Sequence, residues 1–353
     1  MKTILFTGGG TAGHIIPNLA LIDELKATYN CRYVGAGGTE KNLISQTYPN
    51  GEVKYYEITA RKFKRKLSLS NLLLPFSFIK SVRQAKKVIK EVKPSVIFSK
   101  GGFVSLPVVV AGRRCKVPVI AHESDLSLGL ANKLSLRFCK KMLTTFAETA
   151  SRLGKKGMFC GSPVRKSVAQ ADKQHGLELM NFDGSRKIVT VIGGSSGAAT
   201  LNDAVYQALP ELTAKYDVFL ITGKNKLNPL QNRPGFTQRE FVNGIFDVIA
   251  ASDVIISRAG ANAICEICTI KKPLLLVPLK KASRGEQIEN AAYFAEKNCA
   301  LVIDEDALTA EALLSKISHA LINESAFKQN QAKLSLNGTY KIVEVIKSLA
   351  ETH

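Results

Sequence analysis

The residues best suited to chemistry form a glycine-rich segment near the start of the chain, TGGGTAGHIIPN at residues 7–18. It follows the apolar run ILF and precedes an amphipathic run, which predicts a strand, a tight loop and a helix starting near His14. Glycines leave backbone N–H groups uncovered where the helix dipole is positive, and this arrangement suits a diphosphate. The segment therefore predicts an anion-binding loop with an imidazole beside it.

Gly8, Gly10 and Gly13 also match the G-x-G-x-x-G spacing of dinucleotide-binding loops. Those folds carry an acidic residue about 20 positions further on, at the end of the second strand, where it holds a ribose. Here the second predicted strand, RYVGA at 32–36, ends without an acid. The pattern thus disfavours an NAD-dependent oxidoreductase, and His14 needs another explanation.

Three further glycine loops follow predicted strands and precede predicted helices: SKGGFVS at 99–105, GGSSG at 193–197 and SRAGANAICE at 257–266. The loop at 99–105 should lie beside the first one, so that the two form a diphosphate cradle. The loop at 193–197 should do the same in the second half of the chain, with Ser195 as an added hydroxyl donor.

Polar side chains near two later helix starts suit a nucleotide sugar. Glu266 should project from the second turn of its helix, where a carboxylate can accept from two ribose hydroxyls, although a plain partner of the helix dipole is the alternative. Gln287 and Asn290 in RGEQIENA add amides, which both donate to and accept from sugar hydroxyls. Surface capping is the alternative for these two.

Apolar strand-like runs alternate with helical patterns, which indicates an α/β protein with parallel sheets and helices on both faces. Before Cys160 the runs are ILFT, CRYVG, VKYYEI, SVIFS, VPVIA and KMLTT. After GSP at 161–163 the pattern restarts with KIVTVI, YDVFLIT, DVIIS and PLLLVPL, and it ends in helical stretches at 309–322 and 339–350. We therefore expect two Rossmann-like domains whose strand ends face an interdomain cleft.

The 353 residues are 45% hydrophobic and 22% charged, which fits a two-domain globular protein. Seven irregularly spaced cysteines without a secretory signal favour a reducing compartment over a disulfide framework. The acids at 304–306 match a metal-binding D-x-D, but their place before a helix favours a cap. Cys265 and Cys268 are expected to be buried helix positions rather than half of a zinc site.

The formal net charge of +20 favours anionic partners, and the excess is concentrated between Arg61 and Lys93, where Glu91 is the sole acid. The apolar LLLPFSFI at 72–79 inside this cationic frame indicates a membrane-interface segment, with a core helix of ordinary type as an equal alternative. Nucleic-acid binding is disfavoured because interleaved aromatics and a fold signature are missing. No apolar run approaches the roughly 20 residues that span a bilayer.

The chain resembles the MurG family of bacterial glycosyltransferases over nearly its whole length, in the ordered motifs GGGTAGHIIP, SKGGFVSLP, HESD, GSPVR, GGSSGA, EFV, SRAGANAICE and RGEQIENA. The resemblance implies a GT-B fold and the transfer of N-acetylglucosamine from UDP-GlcNAc to the muramyl 4-hydroxyl of the undecaprenyl-linked muramyl pentapeptide. This step converts lipid I to lipid II in peptidoglycan synthesis. It implies an inverting reaction with a β-1,4 product and without a cofactor or metal.

The resemblance also implies how the chain is divided. Residues 1–162 with 338–353 would form the acceptor and membrane-associating domain, and residues 163–337 the donor-binding domain. The enzyme would be peripheral, on the cytoplasmic face of the bacterial membrane. Its partners would be UDP-GlcNAc, lipid I and an anionic membrane surface rather than nucleic acid, with a membrane patch at Leu72, Leu73, Leu74, Phe76 and Phe78.

The family's site pattern can be carried over residue by residue. His14 corresponds to the candidate general base, since a helix start keeps an imidazole neutral. The residues implied for UDP-GlcNAc are Thr11, Ala12, Gly13, Arg165, Ser195, Val242 through its backbone, Gly260, Ala261, Glu266 and Gln287. Those implied for the acceptor diphosphate are Gly9, Gly10, Gly101 and Gly102.

The chain departs from the family pattern at Asp125, where Asn is frequent, and at Glu286, where many members carry Gln. Gln287 rather than Glu286 is therefore assigned to the donor. The alternative functions are another GT-B enzyme, such as a glycolipid transferase or UDP-sugar epimerase, and a non-enzymatic basic adaptor.

Overall fold

The computed structural model describes residues 1–60, 74–193, 199–229, 232–280 and 284–352. The chain divides into two compact units. The first comprises Met1–Arg165 and Leu336–His353, and the second comprises Lys166–Ser335. In the described part of the chain, each unit contains one sheet whose paired strands all run parallel.

The first sheet has seven strands: β1 Thr3–Thr7, β2 Asn30–Gly35, β3 Lys54–Glu57, β4 Val96–Ser99, β5 Val119–Glu123, β6 Lys141–Thr144 and β7 Gly157–Phe159. Their spatial order is β3-β2-β1-β4-β5-β6-β7. The order reverses between β1 and β4, and ligands of open parallel sheets bind at the carboxyl ends of such a pair. The helices before the second unit are α1 Ala12–Leu25, α2 Thr39–Thr47, α3 Leu74–Val92, α4 Ser105–Arg114, α5 Leu130–Ser135 and α6 Ala147–Arg152.

Alternating side chains of the central strands fill a core on each face of this sheet. Ile4 and Phe6 pack in one cluster with α1, whereas Leu5 packs in the other with α3 and α4. Both faces are apolar because helices cover both, which is why these strands read as continuous hydrophobic runs.

The second sheet has six strands: β8 Ile188–Ile192, β9 Asp217–Ile221, β10 Phe236–Arg239, β11 Val254–Ser257, β12 Leu274–Leu276 and β13 Leu301–Val302. Their order, β10-β9-β8-β11-β12-β13, repeats the pattern of the first sheet, with the reversal between β8 and β11. The helices are α7 Lys173–Met180, α8 Ala199–Gln207, α9 Leu209–Lys215, α10 Ile245–Ala251, α11 Ala261–Ile270, α12 Glu286–Glu296, α13 Ala310–Ile322 and α14 Glu324–Lys333.

The last helix, α15 Thr339–Glu351, belongs to the first unit. Its buried Ile342, Val343 and Ile346 pack in the same core cluster as β1 and α1. The segments that leave and re-enter this unit are bonded together, since the Ser162 N–H donates to the Leu336 carbonyl at 2.7 Å and the Gly338 N–H to the Ser162 carbonyl at 2.8 Å. A Cβ at Gly338 would lie 2.3 Å from the Cys160 carbonyl oxygen, so this close approach requires glycine.

The predicted α/β class with two Rossmann-like parallel sheets is confirmed. The helix expected near His14 begins two residues earlier, because Thr11 in extended conformation is its N-cap. Three strands were missed. β7 and β13 have only two or three residues and are half-buried, and β10 has the sequence FTQR, which lacks an apolar run.

Candidate active site

Two glycine loops meet at the strand-order reversal of the first sheet: the first loop, residues 8–11 after β1, and the second loop, residues 100–104 after β4. The Lys100 N–H donates to the Thr7 carbonyl at 2.9 Å, and the Gly9 N–H donates to the Gly101 carbonyl at 3.3 Å. A Cβ at Gly102, whose φ is +86°, would lie 2.1 Å from the Gly9 carbonyl oxygen. The predicted side-by-side arrangement of these loops is therefore present, and it depends on glycine at 102.

The candidate base His14 lies in the first turn of α1. Its Nδ1 is 3.0 Å from the hydroxyl of Thr11, the N-cap residue, whose own side chain caps no backbone N–H. When Nδ1 carries the proton and donates to Thr11 Oγ1, the basic lone pair is at Nε2. Thr11 therefore fixes the orientation of the ring, and its hydroxyl can accept from Nδ1 in the tautomer that a general base at Nε2 requires.

A buried network of polar side chains, which was not predicted from the sequence, holds the first loop through backbone carbonyls. Tyr33 of β2 donates its hydroxyl to the Gly8 carbonyl at 2.7 Å, and the Asn18 amide donates to the Tyr33 hydroxyl at 3.1 Å and to the Thr7 carbonyl at 3.2 Å. Both side chains are fully buried, and burial raises the pKa of Tyr33 well above its ordinary value. The phenol therefore stays neutral and serves as a fixed donor to the loop.

A carboxylate also enters the first loop. Glu40, at the start of α2, is 4% exposed and accepts from the Gly10 N–H at 2.8 Å. Its Oε1 lies 2.0 Å from where a Cβ of Gly9 would be, so Gly9 admits it. Gly9 and Gly10, both assigned to a diphosphate from the sequence, thus have protein acceptors for their N–H groups.

The second loop begins with a buried cation. Lys100 is 1% exposed, and its Nζ lies 2.8 Å from His122 Nδ1 and bonds to the Ser124 hydroxyl. Burial, with the nearby Lys100 charge, holds the pKa of His122 well below 6.5. The neutral imidazole accepts at Nδ1 and donates from Nε2 to the Gly161 carbonyl at 2.8 Å. His122 therefore connects the second loop to the segment that leaves the first unit.

Glu123, at the end of β5, organises the loop that contains Asp125. Its carboxylate accepts from the backbone N–H groups of Ser124, Asp125 and Gly129 at 2.8–3.1 Å and from the Asn132 amide at 2.9 Å. The side chain is 4% exposed, so these four donors replace water around a buried charge. His122 and Glu123 thus fix loops rather than face solvent.

In the second unit, the loop after β11 begins α11 at Gly260, and no side chain caps that helix. Arg258 braces the loop, donating to the Val277 carbonyl at 3.1 Å and pairing with Glu305 at 2.5 Å. The Asn290 amide, fully buried, donates to the Ala259 carbonyl at 3.2 Å. The buried Ala261 and the half-buried Glu266 follow in the first two turns of α11.

The other donor-site residues have the following placements. The Val242 side chain is buried in the core beneath β9, which leaves its backbone to contact a ligand. Gln287, in the first turn of α12, accepts from the Leu279 N–H at 3.0 Å and so fixes the loop after β12. Arg165 is half-buried at the end of the first segment of the first unit, and Ser195 lies outside the described residues.

The predicted cap at residues 304–306 is wrong. Thr309 caps α13 by accepting from the Ala312 N–H at 3.1 Å, whereas Glu305 pairs with Arg258 and Asp306 with Lys280. Cys265 and Cys268 are buried positions of α11, as predicted, and they form no disulfide. Over the described ranges of the chain, no group of three or more His, Cys, Asp or Glu could hold a metal ion.

Part of the predicted membrane patch can be described. Leu72 and Leu73 lie outside the described residues, and Leu74 begins α3. Phe76 is 73% exposed, and Ile79 in the next turn is 49% exposed. Phe78 lines a groove of about 370 Å³ together with Leu106, Val110, Leu134, Phe138, Arg113, Arg114 and Arg137.

The opposite face of α3 packs in the core through Val82, Ala85 and Ile89. The helix therefore combines an exposed apolar start with a face that is buried in the core. Among the residues with described coordinates, no helix is long and apolar enough to span a membrane.

Comparison with known proteins covers both units. Residues 4–144 match the model of the glycosyltransferase family 28 N-terminal domain, and residues 188–346 match that of the family 28 C-terminal domain. A UDP-N-acetylglucosamine–N-acetylmuramyl-(pentapeptide) pyrophosphoryl-undecaprenol N-acetylglucosamine transferase of Clostridium botulinum (strain 657 / Type Ba4) is 43% identical, over 98% of this chain and 99% of that protein. A second such transferase, from Bacillus anthracis, is 43% identical over 99% and 100%.

Solved structures share the architecture at low sequence identity. The crystal structure of Acinetobacter baumannii MurG superimposes with a TM-score of 0.75 at 22% identity, covering 99% of this chain and all of the other. A UDP-GlcNAc 2-epimerase from Neisseria meningitidis, bound to UDP-GlcNAc, gives a TM-score of 0.66 at 12% identity, covering 99% of this chain and all of the other. At these identities the structures show a common GT-B fold.

Proposed function

The chain belongs to glycosyltransferase family 28, and on this basis we propose that it transfers N-acetylglucosamine from UDP-GlcNAc to the 4-hydroxyl of the muramyl sugar in undecaprenyl-pyrophosphoryl-MurNAc-pentapeptide. The product is lipid II, a precursor of peptidoglycan. The observation that carries this proposal is 43% identity to two transferases of this name over 98–99% of the chain.

The donor belongs mainly to the second unit. We assign the diphosphate to Arg165, Ser195 and the uncapped start of α11 at Gly260 and Ala261, where backbone N–H groups and the helix dipole favour negative charge. The uracil is assigned to the backbone of Val242, because the side chain of Val242 is buried in the core. Glu266 takes the ribose hydroxyls, and Gln287 takes the sugar with Thr11, Ala12 and Gly13.

Transfer proceeds by one displacement with inversion. The muramyl 4-hydroxyl attacks the anomeric carbon while the bond from that carbon to UDP breaks, and His14 accepts the hydroxyl proton. Thr11 orients the ring, and its hydroxyl accepts from Nδ1 in the tautomer that leaves Nε2 basic. The charge that develops on UDP is stabilised by Arg165 and by the start of α11.

The acceptor belongs to the first unit. Its two glycine loops are in mutual contact, with Gly101 and Gly102 joined to Gly9. The second loop begins with the buried Lys100, whose positive charge favours a diphosphate at this end of the cradle.

Membrane attachment is assigned to the start of α3. Phe76 and Ile79 are exposed there, and Phe78 between them lines a groove together with arginines 113, 114 and 137. Exposed apolar side chains close to cations suit the interface of an anionic cytoplasmic leaflet. Sedimentation with anionic vesicles tests this: Phe76→Ser should weaken binding without lowering the melting temperature. Unchanged sedimentation would remove the assignment.

The proposed reaction is tested by UDP release with a soluble lipid I analogue, comparing UDP-GlcNAc with UDP-galactose. Release should require the acceptor and should be much faster with UDP-GlcNAc. UDP release without the acceptor, or conversion of UDP-GlcNAc to a 2-epimer, would show a different GT-B activity.

A further inference from the structure

The two loops of the acceptor cradle differ in the charge that each holds. The first loop binds the carboxylate of Glu40 through the Gly10 N–H, and the second loop begins with the ammonium of Lys100. Both charged side chains are at least 96% buried. Charges in such positions act through low effective dielectric and are weakly screened by salt.

Glu40 stands where an anionic ligand of the first loop would bind. Its Oε1 accepts from the Gly10 N–H, which is one of the backbone donors that a loop of this type offers to a phosphate. The missing side chain of Gly9 makes room for it, since a Cβ there would lie 2.0 Å from the same oxygen. Within the described ranges, no ion pair neutralises this carboxylate.

A second backbone donor of the first loop is also used within the protein, because the Gly9 N–H bonds to the Gly101 carbonyl. A diphosphate placed on this loop would therefore displace a buried carboxylate or lie against it. Repulsion between two anions a few ångströms apart is strong at a partly buried site.

We propose that Glu40 determines specificity in the acceptor site: its carboxylate fills the anion position of the first loop, so that this loop receives the uncharged muramyl sugar and rejects the diphosphate. The diphosphate is left to the second loop, at Gly101 and Gly102 beside Lys100. This inference rests on the proposed function, and it narrows the four-glycine diphosphate site to two glycines.

The test uses inorganic pyrophosphate as the probe, titrated calorimetrically into the full chain with saturating UDP so that the donor site is occupied. Glu40→Gln keeps the side-chain shape and an oxygen that accepts from Gly10, but it removes the charge. We expect it to bind pyrophosphate about tenfold more tightly than the wild type, or more.

Two variants serve as controls. Glu91→Gln removes an exposed acid that pairs with Lys54 at the amino end of β3, and it should leave pyrophosphate affinity unchanged. Glu40→Asp keeps the charge, and it should not reproduce the gain. Equal gains in Glu91→Gln or Glu40→Asp, or no gain in Glu40→Gln, would overturn the proposal.

If Glu40→Gln does not fold by circular dichroism, the wild type provides a second measurement. A muramyl-peptide glycoside without phosphate should bind together with pyrophosphate, because the two use different loops. Mutual exclusion would overturn the proposal. Since neither titration requires glycosyl transfer, failure of the UDP-release assay would leave these results interpretable on their own.

Discussion

The two units share a pattern of strand order, but different kinds of side-chain interaction hold their loops in place. In each half of the chain, a glycine-containing segment follows each of the two strands between which the order reverses. The first unit holds its loops with buried charged side chains that bond to neutral groups: Glu40 accepts from a backbone N–H, and Lys100 bonds to His122 and Ser124. The second unit uses the Arg258–Glu305 ion pair and the Asn290 amide.

This difference fits the different roles proposed for the two units. A buried carboxylate that bonds to a backbone N–H, as Glu40 does, creates a local field that can exclude an anion, whereas an ion pair largely cancels its own field. The first unit is therefore suited to acceptor chemistry, and the second to holding the donor on backbone groups. Removing single charges from the two units should consequently have different effects.

The largest expected effect is on catalysis in the first unit. His14→Ala should lower kcat about 10²- to 10⁴-fold, the usual contribution of a general base, with little change in the Kd for UDP. Steady-state UDP release and UDP titration measure the two quantities. Thr11→Val, which removes the partner of Nδ1, should cause a smaller loss. Near-normal turnover of His14→Ala would show that the base lies elsewhere.

The next effect is on the stability of the second unit. Arg258→Met leaves Glu305, which is 13% exposed, as an unpaired buried charge, and it should cost about 3–5 kcal/mol of unfolding free energy. Lys100→Met removes the bonds to His122 and Ser124, which are neutral groups, and it should cost about 1–3 kcal/mol. Urea unfolding measures both losses. Similar losses in the two variants would contradict the difference between the two units.

A smaller effect is expected on donor binding. Glu266→Gln removes a charged acceptor for the ribose hydroxyls, and it should lower kcat/KM for UDP-GlcNAc about 10- to 100-fold, mainly through KM. The 2′,3′-dideoxy analogue of UDP should bind the wild type and the variant equally. A variant that loses affinity for this analogue as well would indicate structural damage rather than a ribose contact.

The smallest effect is a pH dependence in the first unit. Because the pKa of His122 is held well below 6.5 when folded, the unfolded chain binds this proton more readily as the pH falls below about 6.5. Its contribution to stability is present at neutral pH and declines by up to about 1.4 kcal/mol per pH unit below that point. Urea unfolding at several pH values should show a shallower slope for His122→Gln, and equal slopes would contradict this assignment.

The sequence was sufficient for features encoded locally. The apolar runs predicted the central strands, and the glycine loops after β1 and β4 were correctly predicted to lie side by side. The side chains that hold those loops in place could not be predicted in this way. Tyr33 is 25 residues from Gly8, and Glu40 is 30 residues from Gly10, so nothing local distinguishes them from an ordinary strand residue and a helix-start acid. Similarly, Thr309 offered a better cap than the acids before it.

The position of α15 has a consequence for how the protein is made. This helix completes the core around β1 and α1, yet its residues are synthesised after the whole second unit. On the ribosome, the second unit can therefore finish folding while the first still exposes the apolar groove that Ile342, Val343 and Ile346 will fill. The first unit emerges first but is thus the last to complete its core. Nascent chains should therefore need protection at this groove until residues 339–351 have emerged.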